Sequence, residues 1–400
     1  MFVKLSTFAK NDAIRRTFGY YFLFICLGLD SAILGPTLPA LASQTTSRLG
    51  QLGLVFLVGA IGYTLGTIIG GRVFDRLPGH LVLGIAQLSA AVLIFFIPLA
   101  SSLWLLLAIL VCKGFAEGFV NTGANALLVW THGEKVAPFM NALHFFFGLG
   151  AFLSPFLVAQ VIGVAGGYRW AYWALAAFAA LVGLRMLTMA GSPKPAQAHG
   201  KQAAQNSRAP ISKALVISAM LFLFFYVSAE ITFGGWIYTY AFTLNLASAA
   251  GAAYLTSAFW AAFTIGRLIS IPAATRFTPK QVILTALFGC LIILALGIIF
   301  SGSSTALWLM AIGLGFCMAP IWPTGFTLAG QSIELTGKIT GVILLGDSLG
   351  GMVLPTVVGK VIEGSGTRAM IYLVFGSLVL NLLAFTGMLR LRPAKNLLEA

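Results

Sequence analysis

The stretch GAFLSPFLVAQVI, from Gly150 to Ile162, returns as GGMVLPTVVGKVI from Gly350 to Ile362. Gly, Pro, Val, Val and Ile recur in register at an offset of 200 residues, half of the 400-residue chain. Asp30 and Glu230 obey the same offset, and Gly71-Arg72 is echoed by Gly266-Arg267 at nearly the same one. Apolar segments resemble one another easily, so a single match means little, but several at nearly one offset indicate an internal duplication. Between the copies lies one long polar stretch, GSPKPAQAHGKQAAQNSRAPIS at 191–212, whose Pro, Gln and basic residues have the composition of a linker. The expected organisation is therefore two domains, 1–190 and 213–400, joined by a cytoplasmic linker at 191–212.

Composition decides the class. The chain is 59% hydrophobic and 8% charged, whereas soluble domains carry about 25% charged residues. It reads as an integral membrane protein. At about 20 apolar residues per crossing there is room for about twelve helical spans. They are predicted near 17–42, 50–74, 80–100, 103–131, 137–163, 168–190, 213–244, 248–273, 279–301, 304–331, 337–363 and 368–390. The expected fold is an all-α membrane protein, with six spans in each copy.

The net charge of +14 does not imply nucleic acid, because the basic residues are scattered through loops. Of the 24 Lys and Arg, only Arg48, Arg169, Lys360 and Arg368 fall on one side and Lys113 within a span; the rest share the side of the termini. By the positive-inside rule both termini are expected in the cytoplasm, with the protein in the plasma membrane or cell inner membrane. The first apolar run is longer than a signal-peptide core and holds Asp30, Pro36 and Pro39, so it is read as a retained span. Cys26, Cys112, Cys290 and Cys317 lie inside spans as packing residues. Neither metal-ligand spacing, a nucleophile elbow nor a phosphate loop is present, so neither an enzyme, a cofactor nor a bound metal is expected. A monomer in the lipid bilayer is the expected state.

Four acids, Asp30, Glu117, Glu230 and Asp347, sit within apolar spans. A carboxylate at bilayer depth costs about 2.5 to 3.5 kcal/mol on insertion scales, so such groups face a cavity, a partner or an ion. Lys113, Glu117, Asn121 and Asn125 recur every four residues in the fourth span, on one helical face. That face turns inward, either to a cavity or to hydrogen bonds with other helices. Lys113 is spaced to pair with Glu117. Asn141 and His144 follow in the fifth span, with His144 either a substrate or proton group or simply hydrogen-bonded. Breaks are expected at Gly234-Gly235-Trp236, at Pro320-Ile321-Trp322-Pro323 and at Gly346-Asp347 with Gly350-Gly351. Amides, an imidazole, carboxylates and indole faces suit a polyhydroxylated solute. Trp236 and Trp322 are the candidate stacking residues, with Trp130 also available, while Trp104, Trp170 and Trp308 read as interface-belt residues.

The loop GGRVFDRLPGH after the second span resembles the signature of the major facilitator superfamily. In it Gly71 is expected to allow close helix approach, Asp75 to cap a helix start or pair with a basic group, and Arg76 to hold the cytoplasmic face, with Arg72 a further gating candidate. The second copy keeps Gly266, Arg267 and Arg276 but lacks the Asp, so gating contacts should be asymmetric. The segment from Val120 to Leu157 is similar to the fucose permease and sodium-dependent glucose transporter branch. Asn121, Thr122, Gly123, Asn125 and Trp130 carry the likeness, then Met140, Ala142, Leu143, His144, Phe145, Gly150 and Ala151. The resemblance implies symport of a monosaccharide or similar polar solute with a proton or sodium ion, by alternating access. It places Asp30 at the first-span coupling acid. The fourth-span acid falls at Asn121, so Glu117, one turn earlier, either substitutes for it or leaves coupling to Asp30 alone. Glu230 and Asp347 join Asn121, Asn125, Asn141, His144, Trp236 and Trp322 as substrate-binding candidates. The competing reading is a proton-coupled exporter of drugs or lipophilic compounds, which the 32 Phe residues favour.

Overall fold

The computed structural model describes residues 2–164, 167–189, 191–193, 212–273, 275–331 and 337–391, so most of the expected linker, 194–211, lies outside the described residues. The helices of the first half are α1 (Phe2–Gln44), α2 (Leu54–Phe74), α3 (Gly79–Phe96), α4 (Leu103–His132), α5 (Ala137–Val161) and α6 (Arg169–Leu187). The second half has α7 (Lys213–Thr243), α8 (Ala249–Ala273), α9 (Pro279–Ile299), α10 (Ser304–Met318), α11 (Ile321–Gly330), α12 (Gly337–Ser365) and α13 (Ala369–Arg390). Twelve segments are long and apolar enough to cross a bilayer, with α10 and α11 together forming one of them, Ser304–Gly330. This matches the twelve spans expected. In hydrocarbon a helix is the open-chain structure that satisfies its own backbone, and the described residues contain no strand.

Local signals set the helix starts. Ser102, Ser212, Thr278 and Ser303 each accept a hydrogen bond from the amide three residues on, satisfying a donor the helix leaves free. Pro279 follows Thr278 at the first helical position, where its missing amide hydrogen costs nothing. The outward surface stays apolar. Ile68, Leu181, Ile299 and Leu309 are each more than half exposed, which suits a lipid solvent and no other.

Glycine sets how closely the helices approach. A Cβ on Gly150 of α5 would land on the carbonyl of Ile25 in α1, and one on Gly350 of α12 would land on the carbonyl of Phe224 in α7. The glycine at the head of the repeated stretch thus makes the same joint in both copies. Small residues replace the hydrophobic effect as the means of helix association in lipid, because they bring backbones within dispersion range.

Two expectations are corrected. Helices α7 and α12 run unbroken through Gly234-Gly235 and Gly346 to Gly351. Those glycines serve contact instead: a Cβ on Gly346 would strike the Met220 carbonyl, and one on Gly235 would lie 2.7 Å from the Phe56 ring. The break in the tenth span does occur, between Met318 and Ile321, where Pro320 and Pro323 remove two amide donors. Gly71 makes no close approach, for a Cβ there would meet nothing within 4 Å, whereas Gly66, earlier on the same helix, packs against the Phe115 carbonyl.

By contact the chain forms two compact units. The first comprises Met1–Ile33, Val58–Ser154 and Val164–Arg208, and within it α3 packs on both α4 and α6. The second comprises Leu34–Leu57, Pro155–Gly163 and Ala209–Ala400. Within the second, Thr356 Oγ1 of α12 donates to the Gly53 carbonyl at 3.1 Å, and Gln160 Nε2 donates to Tyr254 Oη at 2.8 Å. Segments following α1 and ending α5 are therefore built into the packing of α8 and α12.

The glycine joints predict a contrast between two substitutions. Gly150→Val should lower stability by about 1 to 3 kcal/mol, the usual cost of overpacking, while Gly71→Ala should stay within about 0.5 kcal/mol of the parent. Thermal unfolding in detergent compares them, and equal effects would disprove the assignment.

Candidate functional site

The polar face of α4 is bonded in two pairs. Lys113 Nζ donates to Glu117 Oε1 at 3.3 Å and Oε2 at 3.2 Å, and Asn125 Nδ2 donates to the Asn121 carbonyl at 2.9 Å and its Oδ1 at 3.3 Å. On the adjacent face, Gly114 and Gly118 pack against the carbonyls of Gly59 and Tyr63 in α2, which seats the helix and fixes its rotation. Lys113 also donates to Asp30 Oδ2 of α1, an ion pair in which both side chains are at least 95% buried. The first half therefore holds a lysine between two carboxylates.

The charge count of this triad is odd. Two ionised carboxylates around one ammonium leave one negative charge in excess, and Asp30 Oδ1 is buried with no hydrogen-bond partner among the described residues. An uncompensated buried charge costs several kcal/mol. One further positive charge, a proton or a small cation, would complete the group.

The second half brings a parallel set of residues. Trp322 Nε1 of α11 donates to Asp347 Oδ1 of α12 at 2.7 Å, with its indole stacked on Phe326 at 5.4 Å. Glu230 of α7 is buried, and the charges of Arg267 and Asp347 act on it across the helix interface. Arg267 lies with its guanidinium carbon 4.5 Å above the Phe263 ring, and its Nε is buried without a hydrogen-bond partner among the described residues. Among the described residues, neither Glu230 nor Asp347 has a basic nitrogen within 4 Å. Tyr226 Oη, beside Glu230, donates to the Met318 carbonyl at 2.9 Å, tying the broken tenth span to α7. Each of the two groups thus holds two acids and one base, ion-paired in the first and, among the described residues, without an ion pair in the second.

Other sequence candidates separate on exposure. Asn141 and His144 are exposed on α5, with His144 edge-on to Phe24 at 5.6 Å. Trp236 leaves the substrate-binding set in this structure: it is 0% exposed, it sits beside Phe56, and its Nε1 is committed to the Pro355 carbonyl at 3.0 Å. Arg72, Asp75 and Arg76 are exposed. Helix α3, which starts at Gly79 after Pro78, has no side-chain cap, so Asp75 does not cap it, and no basic nitrogen lies within 4 Å of Asp75 among the described residues. Gly266 packs closely, a Cβ there lying 2.8 Å from the Phe316 carbonyl. Its neighbour Arg267, expected at a cytoplasmic gate, belongs with the second-half acids. The bond between Lys113 and Asp30 was not visible in sequence, where the four-residue spacing reveals only Glu117.

Residues 20–355 match the family described as the Major Facilitator Superfamily. The chain belongs to the major facilitator superfamily. Among its relatives in the superfamily, sodium-dependent glucose transporter 1A of Mus musculus is 31% identical, covering 93% of this chain and 95% of that protein. Major facilitator superfamily domain-containing protein 4A of Homo sapiens is 26% identical over 93% of this chain and 90% of its own length. A D-xylose-proton symporter has the same fold, with a TM-score of 0.77 at 15% identity, covering 95% of this chain and 98% of that one. The nucleoside transporter NupG gives 0.71 at 16%, covering 94% and 99%.

The triad predicts a compensating pair of substitutions. Lys113→Met should destabilise this superfamily member by about 3 to 5 kcal/mol, because it strands two carboxylates, and adding Asp30→Asn should recover part of that loss. Thermal unfolding of the single and double variants in detergent measures the coupling; strictly additive losses would show that the two groups do not interact.

Proposed function

We propose that the protein is a cation-coupled symporter of a monosaccharide or similar polar solute. It works by alternating access of two six-helix halves, 1–190 and 213–400, with both termini in the cytoplasm. The observation that carries this reading is a lysine shared by two carboxylates, Asp30 and Glu117, with Asp30 Oδ1 left without a hydrogen-bond partner among the described residues; with both carboxylates ionised the group is one positive charge short. A coupling proton or sodium ion supplies that charge, with Asp30 as its primary acceptor and Glu117 as the second carboxylate. Lys113 remains tethered. The incoming cation loosens its hold on Asp30 and frees polar groups for the solute.

Several features support a sugar-like cargo. Asn121, Asn125, Asn141 and His144 offer amide and imidazole groups that match hydroxyls. Glu230 and Asp347 accept from hydroxyls, and Trp322 presents an aromatic face. Relatives at about 30% identity over most of this chain are sodium-dependent glucose transporters. On this reading Gly71, Arg72, Asp75 and Arg76 act at the cytoplasmic gate of the first half and Gly266 at that of the second, while Arg267 balances the substrate-side acids.

Transport in proteoliposomes tests the proposal. Radiolabelled monosaccharides should accumulate above equilibrium under an imposed proton or sodium gradient, and Asp30→Asn should abolish that accumulation while leaving equilibrative exchange. Undiminished gradient-driven uptake by the variant would remove Asp30 from coupling. Thermal stabilisation by lipophilic cations but by no sugar would favour the exporter instead.

A further inference from the structure

A cleft of about 130 Å³ lies between α1 and α6, lined by Asp12, Arg15, Arg16, Arg185, Thr188 and Met189. Its volume equals that of several waters at about 30 Å³ each, enough for a phosphate group. Three guanidinium groups face a single carboxylate, leaving two positive charges in excess. Asp12 compensates little, because its carboxylate stands 3.9 Å from Arg15 Nη1 with both side chains more than half exposed. Among the described residues, neither Arg16 nor Arg185 has a carboxylate within 4 Å. Arg185 Nη1 donates to Thr188 Oγ1 at 3.3 Å, which holds its guanidinium against the end of α6.

The surroundings of the cleft tell one kind of anion from another. Going toward the middle of the membrane, Phe18 and Phe22 on α1 and Leu181 and Leu184 on α6 are exposed within one or two turns of the arginines. Phe22 meets Phe178 edge-on at 6.3 Å, so the two helices form one continuous apolar wall below the cleft. A charged recess above an apolar wall, both formed by the same two helices, has the amphipathic shape of a phospholipid. Planar guanidinium groups match phosphate oxygens in a bidentate manner. Basic pockets between transmembrane helices bind anionic head groups in this way.

We propose that this cleft is a binding site for the phosphate of an anionic phospholipid, whose acyl chains lie along Phe18, Phe22, Leu181 and Leu184. Arg16 and Arg185 hold the phosphate and Arg15 adds to the field, while Thr188, whose hydroxyl donates to the Arg185 carbonyl at 2.9 Å, steadies Arg185. Asp12 opposes binding. The site stands apart from the Asp30, Lys113 and Glu117 group and does not depend on which solute is carried.

Native mass spectrometry of the full chain, titrated with phosphatidylglycerol or phosphatidylcholine in detergent, tests the site. Phosphatidylglycerol should bind in preference to phosphatidylcholine. At about fivefold per basic residue, the Arg16→Gln, Arg185→Gln double variant should bind it about 25-fold more weakly. Arg390→Gln, at the end of α13, should bind it as the parent does. Asp12→Asn should bind it more tightly, a gain that damage to the fold does not produce. Equal binding of the two lipids, full binding by the double variant, or no gain in Asp12→Asn would each overturn the proposal. Displacement of phosphatidylglycerol by millimolar inorganic phosphate would overturn it in favour of a soluble anion.

Discussion

A lysine held between two carboxylates inside hydrocarbon constrains much of the first half. The ion pair between Asp30 and Lys113 requires α1 and α4 to present specific faces to each other. Those faces are fixed by glycine contacts on neighbouring surfaces, Gly114 and Gly118 against α2 and Gly150 against α1. Burying such a group is not a route to stability, since apolar residues of similar volume often do as well or better. Its presence is better understood as the expense of a function that needs a charge at that depth.

The second half solves the same problem with different means. Arg267 is long enough to influence Glu230 and Asp347 without closing on either, and the Phe263 ring shares in stabilising its charge. Asp347 is instead satisfied by a neutral donor, the Trp322 indole. A carboxylate held by a neutral donor remains free to answer to a solute or a distant cation in a way that an ion-paired one is not. Of these charges only Asp30 and Glu230 stand at duplicated positions; Lys113, Glu117 and Asp347 answer to Gly313, Cys317 and Phe147, so the two halves arrive at two acids and one base by different residues.

How much of this was legible in the sequence depends on the range of each interaction. Apolar runs of about 20 residues mark spans directly, and the twelve segments followed from them. The repeat that holds Gly150 and Gly350 was visible because duplication preserves it, but Gly350 was expected at a break and turned out to make a joint. Contacts between helices left no such trace: 83 positions separate Asp30 from Lys113, and no local period reports their meeting. Gly234, Gly235 and Gly346 were misread because glycine signals both a break and a close approach, and only the neighbouring helix decides between them. Trp236 was misread for a related reason. An indole that could stack on a solute can equally cap a carbonyl, and Pro355 took it.

Lys113 is covalently part of the chain and cannot leave with the cargo. On the proposed reading, the exchangeable charge in the triad is thus a single elementary charge, and carrying an uncharged sugar makes each cycle electrogenic. A membrane potential then contributes to uptake directly, at about 2.3 kcal/mol per 100 mV for one charge. That alone corresponds to roughly fiftyfold accumulation of solute. An odd number of charges in a buried cluster would in this way set an upper limit on how steep a sugar gradient the cell can hold.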